Sequence, residues 1–152
     1  MDGRGSGNVC NGVGIVMRIE VLGFLALAGC AASAPSTSGP AASPVNIEWR
    51  LVAVAGSPAG TGANGQPATL RLDDVGQRAS GYAGCNQFSA SYTLSGNALT
   101  FGPLAMTRMA CATGDALERS YATALEQTTE FKVTSKGLEL RRGSVLLAKF
   151  TR

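Results

Sequence analysis

Four cysteines and no histidine define the chemistry open to this sequence. Without an imidazole it lacks the usual general base at neutral pH, the Ser-His and Cys-His nucleophile pairs and the commonest zinc ligand. The cysteines, Cys10, Cys30, Cys85 and Cys111, show no C-x-x-C spacing, so neither a zinc ribbon nor a thioredoxin-like motif is indicated. Two of them bracket the central stretch. Cys85 lies in Gly81-Tyr82-Ala83-Gly84-Cys85-Asn86-Gln87-Phe88, and Cys111 ends Thr107-Arg108-Met109-Ala110-Cys111. An even pair in a small exported domain reads as a disulfide. Two buried thiols, or a functional redox or metal pair, are the other readings of the same residues. Gly84 and Asn86 suggest a tight bend in which Asn86 bonds nearby backbone. Alternatively, Gly84, Asn86, Tyr92, Thr107 and Arg108 form a rim that binds a peptide or small molecule. Tyr82, Phe88 and Tyr92 read as core, with a ligand platform as the other reading of the same rings. Met106 and Met109 without histidine make a poor metal site.

The carboxylates add little to this inventory. Adjacent Asp73 and Asp74 in a strand point to opposite faces, and Asp115 with Glu118 fits a helix capping box. No Gly-x-Ser-x-Gly elbow is present. The expectation is therefore no catalytic residues, no metal and no cofactor. The net charge of +3 is scattered, with no basic run longer than Arg141-Arg142, so no nucleic-acid partner is expected.

The N-terminal part reads as export signal and tether. Val21 to Ala28 is an apolar run of eight, too short for a membrane span and suited to a signal peptide. It leads into Leu27-Ala28-Gly29-Cys30, which resembles a bacterial lipobox with Cys30 as the site of fatty-acyl, palmitate-class attachment; a buried cysteine at the end of a short core segment is the other reading. Met17 is a plausible true start, in which case Cys10 is absent from the protein. Ala31 to Pro44 has no charge and three prolines, so it cannot offset its ordering entropy by burial. Extended at about 3.1 Å per residue, it would hold a domain up to about 40 Å from a bilayer. Similarity to sorted Gram-negative lipoproteins makes Ala31, rather than Asp, favour the outer membrane facing the periplasm. The expected organisation is residues 1–29 as signal, 30–45 as lipidated cysteine and tether, and 46–152 as one domain.

In that domain the hydrophobic period becomes two. Ile47, Trp49, Leu51 and Ala53 predict a first strand, and Ser57 to Pro67 a loop. Leu70 and Leu72 predict the next strand, followed by Arg78 to Tyr82 after an Asp73–Gly76 turn. Tyr92–Leu94 and Leu99–Phe101 frame a hairpin. Asp115 to Thr128 predicts the one helix, with Leu117, Tyr121, Ala124, Leu125 and Thr128 on its buried face. Phe131/Val133, Leu138/Leu140 and Leu146/Ala148/Phe150 predict three closing antiparallel strands. The fold class is mainly β (α+β), a curled sheet or incomplete barrel covered by one helix.

Those residues resemble a META domain of the HslJ type. The likeness runs from Trp49-Arg50-Leu51 through Gly84-Cys85-Asn86 and Leu104-Ala105-Met106-Thr107-Arg108-Met109-Ala110-Cys111 to Leu138-Glu139-Leu140, covering about Ile47 to Phe150. The resemblance implies a small barrel-like domain of exported and lipid-anchored bacterial proteins, linked with heat-shock response, novobiocin tolerance and secretion or motility. It implies no catalytic residues. The expected function is a non-enzymatic envelope lipoprotein, tethered through Cys30, that supports the envelope under stress by binding another envelope protein or an apolar small molecule. A hollow-barrel carrier of lipid or drug is the alternative, and an uncharacterised enzyme a third. Large inward residues such as Trp49, Phe101, Phe131 and Phe150 favour a filled interior over the carrier.

Overall fold

The computed structural model describes residues 42–152. The expected signal, the lipobox-like stretch with Cys30, and residues 31–41 of the expected tether lie outside the described residues. The domain has ten strands and one helix. In chain order these are β1 (Glu48–Val54), β2 (Ser57–Pro58), β3 (Thr69–Asp73), β4 (Arg78–Tyr82), β5 (Gln87–Ser95), β6 (Ala98–Phe101), β7 (Ala105–Met106), α1 (Asp115–Glu126), β8 (Glu130–Thr134), β9 (Gly137–Arg142) and β10 (Val145–Thr151). Eight of the strands pair antiparallel in the order β1-β3-β4-β5-β6-β8-β9-β10, and β10 returns to pair with β1. The sheet is therefore a closed barrel, carrying the closure further than the incomplete barrel expected from sequence. Short β2 pairs with β1, and short β7 with β5.

Closure depends on bulges that a period-two reading cannot see. The register of β1 against β10 shifts between Leu51 and Ala53, and that of β10 against β9 shifts between Leu146 and Ala148. An extra residue bends the strand and breaks the alternation. Val54 consequently takes the buried position expected of Ala53, and Leu147 the one expected of Leu146. The seam between β6 and β8 is the narrowest, a single ladder pair of Ala98 with Glu130, flanked by hydrogen bonds from Leu99 N to Thr129 O and from Phe131 N to Asn97 O.

The interior is filled by side chains from both halves of the chain, among them Trp49, Leu70, Leu72, Leu99, Leu125, Leu138, Leu140 and Phe150, each 2% exposed or less. Phe131 joins them, while Phe101 is only partly buried. Trp49 has no exposed surface, and its indole Nε1 donates to Pro44 O at 2.8 Å. The Arg152 guanidinium sits 5.7 Å from the centre of that ring, so the two ends of the described chain meet at one buried tryptophan.

The helix packs on the barrel through Tyr121, Ala124 and Leu125, as its 3.6-residue period requires. Tyr121 is completely buried. Its ring meets Phe88 edge-on at 5.7 Å and Phe150 at 5.9 Å, and its hydroxyl donates to Thr69 O at 3.0 Å. These partners stand on β5, β10 and β3, which are not neighbouring staves, so the helix plugs one end of the barrel.

Candidate functional site

The turn between β4 and β5 gathers most of the residues that the sequence marks. Cys85 and Cys111 form a disulfide, with their Cα atoms 5.9 Å apart. Beside it Asn86 is nearly inaccessible, 6% exposed, and uses every hydrogen-bonding position of its amide. Its Oδ1 accepts from Met109 N at 2.7 Å and from the Thr107 hydroxyl at 2.9 Å. Its Nδ2 donates to Glu118 Oε1 at 3.2 Å and, more weakly, to Met109 O at 3.4 Å. Thr107 extends the clasp through side chain and main chain, since Gln87 N donates to Thr107 Oγ1 and Thr107 N to Gln87 O. The segment after β7 has no strand partner beyond Met106, so Asn86 and the disulfide hold it.

Glu118 corrects an expectation. The capping box does not form: the residue before the helix is Gly114, in left-handed conformation at φ 97°, and no side chain caps the helix. The Glu118 carboxylate instead reaches the β4–β5 turn, where Oε2 accepts from Asn86 N at 2.6 Å and Oε1 from Asn86 Nδ2. Asp115 remains in the first turn, where a negative charge complements the helix dipole. The helix is thus clasped to the turn by a charge-assisted pair of hydrogen bonds. Two glycines make room for this. Gly84 adopts φ 118°, and a side chain on Gly114 would overlap the Gly84 carbonyl, which also accepts from Ala63 N at 2.7 Å and from the Tyr82 hydroxyl.

The expected rim is therefore only partly one place. Gly84, Cys85, Asn86, Thr107 and Cys111 converge, while Tyr92 does not join them. It is buried along β5, and its hydroxyl donates to Asp73 O at 3.0 Å. Burial, then the charges of Asp74 and Asp73, raise its pKa above 10. Arg108 is exposed and makes no side-chain hydrogen bond or ion pair among the described residues. Glu118, Gly114 and the Met109 backbone were missed at this position. The only signal for Glu118 was its spacing from Asp115, which pointed to the cap instead. Every polar group in the clasp is engaged with another, which suits holding a loop. Among the described residues no three His, Cys, Asp or Glu side chains gather as a metal site would need.

Replacing Glu118 by Ala leaves the Asn86 N–H and part of its amide without an acceptor, and the expected loss is about 2 kcal/mol. Replacing Asp115 by Ala removes only a dipole contact, with an expected loss of about 0.5 kcal/mol. Urea unfolding of the two variants measures the difference; under a true capping box the two losses would be alike.

The fold and clasp together define a class, a small closed β-barrel plugged by one helix and pinned by a disulfide at the mouth of its central turn. Within that class the chain belongs to the META domain family, whose model matches residues 43–151. This accords with the resemblance to META domains of the HslJ type. The chain is similar to a protein from Burkholderia xenovorans solved by NMR, at 35% identity over 70% of this chain and 83% of that one, with a TM-score of 0.54. A second protein solved by NMR is 28% identical over 68% of this chain and 86% of its own, with a TM-score of 0.52. Among curated proteins no match is found.

Proposed function

We propose that this META domain protein is a lipid-anchored envelope protein that works by binding rather than by catalysis, supporting the envelope under stress by docking another envelope protein on its outer surface. The observation that carries the reading is the Cys85–Cys111 disulfide, taken with the lipobox-like sequence Leu27-Ala28-Gly29-Cys30 upstream of it. A disulfide built into a small domain suits an oxidising compartment, and a lipobox suits export to one. The filled interior favours outer-surface binding over carriage inside the barrel, since Trp49, Tyr121 and Phe150 occupy the space that a lipid or drug would need.

The test is the intact mass and thiol count of the protein taken from the membrane fraction of its native host, with and without reduction. The expected result is an acylated chain beginning at Cys30, with no free thiol until reductant is added. An unacylated chain in the soluble fraction with free Cys85 and Cys111 would overturn both the anchor and the compartment.

A further inference from the structure

Alternation along the strands places a second group of side chains on the outer face of the barrel, away from the disulfide clasp. Glu48 and Arg50 on β1, Thr69 on β3, Tyr82 on β4 and Gln87 on β5 all point outward, and the loop before β3 stands over them with Gln66. Between loop and sheet lies a cleft of about 450 Å³, within the range of small-molecule sites. By contrast, the similar-sized cleft between the β2 hairpin and the helix is lined by the aliphatic Val54, Ala59 and Leu117.

We infer that this outer cleft is a binding site for a neutral saccharide. The Tyr82 ring supplies a flat apolar wall suited to the C–H face of a sugar ring. That wall is held in place, because the Tyr82 hydroxyl donates to Gly84 O, its backbone N–H donates to Thr69 Oγ1 at 3.0 Å, and the ring lies against Gly62. The carboxamides of Gln66 and Gln87 make no side-chain hydrogen bond within the described residues. Each can donate and accept at once, as a sugar hydroxyl does. Arg50 and Glu48 lie 3.8 Å apart and more than half exposed, which leaves charged donors and acceptors in the cleft without a net charge. That balance disfavours phosphate and other strongly charged ligands. A polyhydroxylated neutral ring uses every one of these groups. The inference goes beyond the tether and holds whether or not Cys30 is acylated.

The experiment is saturation-transfer NMR and calorimetry on the full chain in a detergent without a sugar headgroup. The probes are the β-1,4-linked tetrasaccharide of N-acetylglucosamine, the α-1,4-linked tetrasaccharide of glucose, and an uncharged peptide of serine, asparagine and glycine. The expected result is saturable binding of at least one tetrasaccharide and none of the peptide. Gln66→Ala with Gln87→Ala, at two exposed positions, weakens that binding about tenfold or more, the equivalent of one or two hydrogen bonds, and leaves the thermal unfolding midpoint unchanged. Tyr82→Phe loses the hydroxyl bond to Gly84 O but keeps the ring against Gly62 and the backbone bond to Thr69 Oγ1, and so retains binding. If neither tetrasaccharide binds, if binding is unaffected by the Gln pair, or if the peptide binds equally well, the saccharide site is overturned.

Discussion

Replacing Cys85 and Cys111 together by alanine is expected to lower the unfolding free energy by about 3.5 kcal/mol, the chain-entropy value for the 26-residue separation that the disulfide closes. Against a total of about 5–15 kcal/mol for a domain, this is a large share of the stability. The ring that the disulfide closes contains the β5–β6 hairpin and β7, so losing it frees the unfolded chain more than the folded one. In the folded state the consequence is local. Thr107 to Cys111 lies past the last pairing of β7, and without the disulfide the Asn86 amide and the two hydrogen bonds between Gln87 and Thr107 hold it to the turn. Urea titration of the double variant, and of the parent chain under reductant, measures the loss. Amide exchange should place the first loss of protection at Met109, whose N–H donates to Asn86. A loss below about 1 kcal/mol would mean that the disulfide constrains the unfolded chain far less than the chain-entropy account requires.

Tyr121→Ala is expected to cost about 3–5 kcal/mol, the range for deleting a large buried ring. The side chain has no exposed surface, and its contacts with Phe88, Phe150 and the Thr69 carbonyl join helix to barrel on three staves. Tyr121→Phe keeps the ring and loses only the hydroxyl, at about 1 kcal/mol. The phenol also makes stability depend on alkaline pH. Burial raises the Tyr121 pKa well above 10 in the folded chain, whereas in the unfolded chain it titrates near 10. Below pH 10 both states keep the proton and the contribution is complete. As pH rises past 10 the unfolded chain ionises first, and stability falls toward the folded pKa. Tyr92, raised in the same direction, adds to the slope. Thermal melts across the alkaline range should therefore show a falling midpoint that is shallower in Tyr121→Phe. Equal slopes in parent and variant would show that Tyr121 does not stay protonated in the fold.

Much of the architecture was legible because burial imposes periods on the chain. The β4 bounds, the hairpin around Gly96 and the buried helix face of Tyr121, Ala124 and Leu125 follow from periods of 2 and 3.6 and from turn residues. Where the period broke, the reading slipped by one residue, at Val54 and Leu147, because a bulge is set by how strands meet their partners in the closed barrel. The site was legible as a list of residue types but not as an arrangement. Gly84, Asn86 and Thr107 stand near the cysteines in sequence and were grouped with them, yet Tyr92 was grouped there too and lies elsewhere.

Glu118 marks the boundary between what each level decides. By itself the sequence determined the chemical inventory: no histidine, two cysteines bracketing the central stretch, a helix of known face, and enough alternating strands for a curled sheet or barrel. Composition and local period are properties of neighbouring residues, so one chain suffices to read them. Only the tertiary structure decided that Glu118 turns from its own helix end to Asn86, 32 residues away, and that Glu48, Arg50, Tyr82 and Gln87 share one outer cleft. A side chain's partner depends on which distant backbone the closed barrel brings within about 3 Å, and no local pattern encodes that distance.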